Sequence, residues 1–235
     1  KCLLALSPSG DSEDILRRLL DYRFDRGNGL TGHNFGNLLL TALTEITGSS
    51  VTAIEEVSKL LNIKGAVLPV TTQDTRLMAV LEDGTVVQGE TNVDMRTIKP
   101  EIPIDRIYLE PSVTAYEPTL SALMAADAII IGPGDLYSSV IPNLLVSGIP
   151  EAINTSKATV IFVCNLMTKH GETDGFRAST FLKEILKVLG PSGRVDYCLI
   201  DDVEYEPDLV DVYSSERSFP IVRDTEECTH YAGSV

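Results

Sequence analysis

Apolar residues recur at helical spacing over residues 11–22, where Ile15, Leu16, Leu19 and Leu20 share a face and Ser9 or Asp11 stands at a cap position. Arg26-Gly27-Asn28-Gly29 reads as a loop. A second helix is predicted from Asn34 to about Thr47, with Phe35, Leu38, Leu39, Ala42 and Leu43 on one face and Gly48 as the terminating glycine. A third is predicted near 52–61, with Thr52 and Glu55 spaced as a capping box.

Beyond this helical stretch the period changes. Residues 65–70 read as a strand, and the runs 77–82 and 85–89 flank Asp83-Gly84 as the arms of a hairpin. With Arg106–Leu109 they predict a β-rich insertion at about 65–110. From residue 117 the chain alternates. Pro118 opens a helix, Ala128–Ile131 is a buried strand and Tyr137–Val146 a helix. Thr159–Cys164 is a buried strand, Phe176–Leu189 a helix and Val195–Ile200 a strand. Short apolar runs alternating with helices predict an α/β fold, three-layered and Rossmann-like, with a mostly parallel sheet and a hairpin-rich insertion.

Composition narrows the function classes. A chain of 235 residues can build one substantial α/β core, here expected to be a single domain over 1–235. The formal net charge of -15 argues against a nucleic-acid surface, while leaving open a single phosphate held by backbone N–H groups. Cys2, Cys164, Cys198 and Cys228 form no C-x-x-C pair, and His33, His170 and His230 lack ligand spacing, so buried free thiols are expected and zinc is not. No apolar run is long enough to span a membrane and no signal peptide is visible, which predicts a cytoplasmic protein. The opening Lys1-Cys2-Leu3-Leu4-Ala5-Leu6 lacks a Met, as a fragment would.

Three loops carry the candidate chemistry. Gly132-Pro133-Gly134-Asp135 follows a strand and precedes a helix, so its backbone can approach an anion, with Ser138 and Ser139 as added hydroxyls. The plain alternative is a tight turn. Asp135 is then either a helix cap or, beside a phosphate, a Mg²⁺ ligand. The second loop, Cys164 to Gly175, puts Asn165 at a strand end with Thr168 nearby, and Asp174 is the expected cap of the next helix. The third, Gly32-His33-Asn34-Phe35-Gly36-Asn37, carries a helical glycine that costs about 1 kcal/mol relative to Ala unless a ligand or another backbone comes close. His33 reads either as a general base or phosphate donor, or as an ordinary polar residue. No nucleophile–base arrangement stands out, so no catalytic residue is assigned.

Taken together, Gly32-His33-Asn34-Phe35-Gly36-Asn37, Gly132-Pro133-Gly134-Asp135-Leu136-Tyr137-Ser138-Ser139 and Asn165-Leu166-Met167-Thr168 with Gly171-Glu172-Thr173-Asp174-Gly175 resemble the gluconeogenesis factor family. This is the YvcK-type branch of the CofD-like (UPF0052) proteins. The resemblance implies a Rossmann-like cytoplasmic protein that binds a UDP-sugar such as UDP-N-acetylglucosamine and supports cell shape on gluconeogenic carbon sources. It further implies ligand contacts at His33, Asn37, Gly132, Pro133, Gly134, Asp135, Ser138, Asn165, Thr168 and Tyr213, the tyrosine stacking on a base or sugar. The alternative is a CofD-like transferase moving 2-phospho-L-lactate from a nucleotide-activated donor to a deazaflavin acceptor, with Mg²⁺ as cofactor. A homo-oligomer is a further expectation. The chain departs from the family in lacking its Gly-rich opening strand-turn-helix, and in carrying Asp135 where most relatives have Ser.

Overall fold

A computed structural model describes residues 2–8, 11–26 and 29–235, with backbone alone for 11–14. The chain divides into two compact units, residues 1–72 and 73–235.

The first unit is helical: α1 (Cys2–Leu6), α2 (Asp11–Asp21), α3 (Phe35–Thr47) and α4 (Ser50–Leu60). Its core is Leu20, Val57 and Leu61, with Leu16, Phe35, Leu39 and Leu43 packed against them. Arg17 closes the end of α1, donating to the carbonyls of Leu4 and Ser7 at 2.9 and 2.7 Å. The helix boundaries follow local chemistry. The Asn34 side chain accepts from the Asn37 N–H at 3.1 Å, and Gly48 ends α3 at φ 72°. At α4 the expected capping box gives way to Ser49, whose hydroxyl accepts from the Thr52 N–H at 3.3 Å and starts the helix two residues earlier. Gly36 also finds its reason here. A Cβ at that position would lie 2.7 Å from the Leu20 carbonyl oxygen, so the glycine admits a neighbouring backbone.

In the second unit β1 (Arg76–Leu81) lies between β2 (Val86–Gln88) and β3 (Ile104–Glu110) in an antiparallel sheet. Gly84, at φ 82°, sits in the predicted hairpin turn. The strand expected at 65–70 does not form: those residues are irregular, with Gly65 at φ 93° and Pro69 lacking an N–H for any ladder. α5 (Glu90–Asp94) follows β2, and α6 (Glu117–Ala125) begins with Pro118 in its first turn.

The second sheet is parallel, in the order β4 (Ala128–Ile131), β5 (Thr159–Val163) and β6 (Tyr197–Leu199). Between β4 and β5 run α7 (Ile141–Leu144) and α8 (Ile149–Thr155), and between β5 and β6 runs α9 (Ala178–Leu189). The fold is α/β and Rossmann-like, as the alternation of apolar runs and helices predicted. The strands are less uniformly buried than expected. Ile129, Ile131, Val160, Phe162 and Cys198 join the core with Leu144, Ile153, Phe181 and Leu182, whereas Ile130 on the opposite face is 63% exposed. α10 (Pro207–Ser215) and α11 (Thr225–Cys228) complete the unit.

Two helix starts differ from expectation. The helix predicted over 137–146 is a π-turn at Leu136–Val140 followed by the short α7, because Pro142 has no N–H to continue an α-helical ladder. Asp174 does not cap α9. Its carboxylate accepts from the Gly171 N–H at 2.6 Å, and α9 is capped by Asp224, which accepts from the Ser179 N–H at 3.0 Å and hydroxyl at 2.6 Å.

Candidate functional site at the strand ends

β4 and β5 are adjacent and parallel, so the loops leaving their carboxyl ends emerge side by side. The Asn165 side-chain amide joins them, donating to the Gly134 carbonyl at 2.8 Å. A Cβ at Gly132 would meet nothing within 4 Å, so space is open at the end of β4, while one at Gly134 would come within 3.2 Å of Val140. Beyond Asn165 a narrow groove is lined by Leu166, Asp201, Tyr205, Ile221 and Arg223. There the Tyr205 hydroxyl donates to Asp201 at 2.7 Å, and Arg223 stacks over the Tyr205 ring at 5.6 Å.

Behind this edge the predicted anion cradle already holds a carboxylate from the protein. Glu172, its side chain fully buried, accepts from the N–H groups of Tyr137 and Ser138 at 3.0 and 3.2 Å and from the Ser138 hydroxyl at 2.9 Å. Burial pushes its carboxyl above the usual range, against the pull of Lys169 and Ser138. Asp135 stands at the cap position, where its carbonyl accepts from the N–H groups of Ser139 and Val140. Its carboxylate makes no cap bond and pairs with Lys169 at 2.7 Å. The Lys169 ammonium also bonds Asp94 and lies 3.2 Å from Glu172. Burial opposes the charge on Lys169, but bonds to Asp135 and Asp94 prevail and raise its pKa.

Other contacts tie the two loops to the body of the unit. Tyr137 packs edge-to-face on Phe176, and Phe176 on Phe181 of α9. Arg96 is buried beside Gly171. Its Nη2 donates to the Pro100 carbonyl at 2.7 Å, and its Nε and Nη1 have no hydrogen-bond partner among the described residues. Arg217 donates to His170 Nε2 at 2.8 Å, which leaves Nδ1 as the protonated nitrogen facing Asp174 at 2.9 Å.

The predicted residues therefore fall into groups. Gly132, Pro133, Gly134, Asp135 and Asn165 gather at the strand ends. Ser138 lies beneath them, spent on Glu172. Thr168 is buried in a clamp, its hydroxyl accepting from the Phe219 N–H at 3.0 Å and its carbonyl from the Ser218 hydroxyl at 2.6 Å. Tyr213 is on the surface of α10, and its carbonyl accepts from the N–H groups of Glu216 and Ser218, which leads the chain into that clamp. His33 and Asn37 belong to the first unit and are exposed. Within that unit Asn37 borders a cleft of about 170 Å³ with Leu4, Leu20, Arg23, Asn34 and Leu40. The sequence reading missed Asp94, Lys169 and Glu172 as a cluster. Only the polarity of the second loop pointed toward it.

Asp94, Asp135 and Glu172 each offer an oxygen, all within 4.8 Å of one another, a donor set suited by type to a hard divalent cation. The arrangement does not fit Mg²⁺, because the Lys169 ammonium sits among the three oxygens.

An open parallel sheet with polar loops gathered at its strand ends defines a Rossmann-like α/β architecture. Residues 1–234 match the family of the 2-phospho-L-lactate transferase CofD. The gluconeogenesis factor of Halalkalibacterium halodurans is 43% identical over 223 residues, covering 94% of this chain and 67% of that protein. The Bacillus subtilis gluconeogenesis factor is 38% identical over 225 residues, covering 94% and 69%. A crystal structure of a Bacillus halodurans member of the UPF0052 family superposes with a TM-score of 0.89 at 39% identity, covering 99% of this chain and 73% of that one. The chain belongs to the CofD-like gluconeogenesis factor family. Among the described residues, no helix is long and apolar enough to cross a membrane.

Proposed function

We propose that this protein binds a nucleotide sugar of the UDP-N-acetylglucosamine kind at the carboxyl ends of β4 and β5. It acts as a cytoplasmic regulator of cell shape and of growth on gluconeogenic carbon sources rather than by turnover. The observation that carries this reading is the bond from Asn165 to the Gly134 carbonyl, which fixes a side-chain amide against a glycine loop at a strand-end crevice. Open space at Gly132 leaves room for a phosphate or sugar. Calorimetric titration with UDP-N-acetylglucosamine, UDP and ADP tests it. Saturable heat is expected with the UDP-sugar, weakened about tenfold in Asn165→Ala by loss of roughly one hydrogen bond. Heat from ADP with none from the UDP-sugar sinks the proposal.

The transferase reading draws support from the description of the matched family. Its test is product formation from a nucleotide-activated phospholactate donor and a deazaflavin acceptor with added Mg²⁺. The binding reading predicts no product.

A further inference from the structure

We propose that Lys169 is a built-in counter-cation, its ammonium standing where a divalent metal would and fastening α5, the loop after β4 and the loop after β5 into one frame. A lysine ammonium has three N–H donors, and Lys169 faces three carboxylates: Asp94 at the end of α5, Asp135 after β4 and Glu172 after β5. Each comes from a different segment, so one side chain cross-links all three, as a bound metal does.

Charge makes the lysine indispensable. One positive charge among three negative ones leaves two in excess, and Glu172 is fully buried. Arg96 donates to the Pro100 carbonyl and acts on Glu172 through space alone. Without Lys169 three carboxylate oxygens would stand within 4.8 Å of one another with no ammonium among them, a like-charge cluster that an entering cation would relieve. Lys169 meets Asp135 at 2.7 Å and Glu172 at 3.2 Å, against about 2.3–2.6 Å for Ca²⁺–O and 2.0–2.1 Å for Mg²⁺–O. A larger, geometrically tolerant ion therefore needs the smaller contraction. Partial exposure of Asp94 and Asp135 leaves room for its water ligands.

The protein with Lys169 is thus expected to be indifferent to divalent ions at this cluster, and the protein without it to acquire a need for them. The experiment follows the thermal midpoint of wild type and Lys169→Ala in chelator, in 10 mM CaCl₂, in 10 mM MgCl₂ and in NaCl of matched ionic strength. The NaCl arm removes simple screening. Lys169→Ala is expected to melt lower in chelator and to recover by about 3 °C or more in Ca²⁺, less in Mg²⁺ and not in NaCl, while wild type stays put. Lys169→Ala/Asp94→Asn restores the wild-type total charge and keeps two carboxylates, so it is expected to fold where the single variant does not and to show a smaller Ca²⁺ shift. Equal Ca²⁺ shifts in wild type and variants, or none in either variant, overturn the proposal. Melting needs no nucleotide sugar, so this outcome is independent of the binding reading above.

Discussion

The helices of the first unit and the helical segments at the strand ends of the second start by different means. In the first, the caps are local: Asn34 reaches Asn37, and Ser49 reaches Thr52, each across three residues. In the second, the helical segments that meet the strand ends are capped from far along the chain. Glu172 serves Tyr137 and Ser138 from 35 and 34 residues away, and Asp224 serves Ser179 from 45. A local cap forms with its helix. A remote cap exists only after the tertiary structure has assembled, so its loss dismantles a junction rather than fraying an end.

The largest effect should come from the most heavily used remote cap. Glu172→Ala orphans two buried N–H groups and a hydroxyl and removes one of the three partners of Lys169, which should cost about 3 kcal/mol in urea unfolding. A cost near that of a surface cap would erase the contrast. Gly36→Ala probes the first unit's own long-range dependence. Helix propensity returns about 1 kcal/mol, but the 2.7 Å approach to Leu20 should reverse the sign, for a net loss of about 1–2 kcal/mol. Asp224→Ala should cost about 1.5 kcal/mol, read from the same unfolding curves.

Burial tends to raise the Asp224 carboxyl, but the two Ser179 bonds prevail and hold it below its ordinary value. With the folded pKa depressed, the contribution of Asp224 is present above the ordinary Asp range near 4 and fades as pH falls through the folded value. Asp224→Asn should remove that part of the acid dependence, measured as thermal midpoint against pH. Ser49→Ala should have the smallest effect, about 1 kcal/mol.

The same contrast explains what the sequence could disclose. The end of α3 at Gly48, the hairpin at Gly84 and the β–α alternation from 117 onward rest on chemistry within a few residues, and all were legible. The gathering of Gly132–Asp135 with Asn165 was legible in outline, since adjacent parallel strands bring their loops together. That Glu172 rather than a ligand fills the N–H groups of Tyr137 and Ser138, and that Asp135 turns to Lys169, was not. Those partners are 34 or 35 residues apart, and no local spacing encodes them. The misplaced start of α9 has the same cause. Asp174 sits where a local cap would be, whereas the actual cap lies beyond α10.

The seating of Asp224 on α9 also orders events in time. Residues 222–234 do more than cap: Val222 bridges Arg177, and Ser234 bridges Tyr197 of β6. During synthesis at about 5–20 residues per second, α9 emerges several seconds before this strap can reach it. Until then the first turn of α9 and the open side of β6 must wait, frayed, for the strap that closes both.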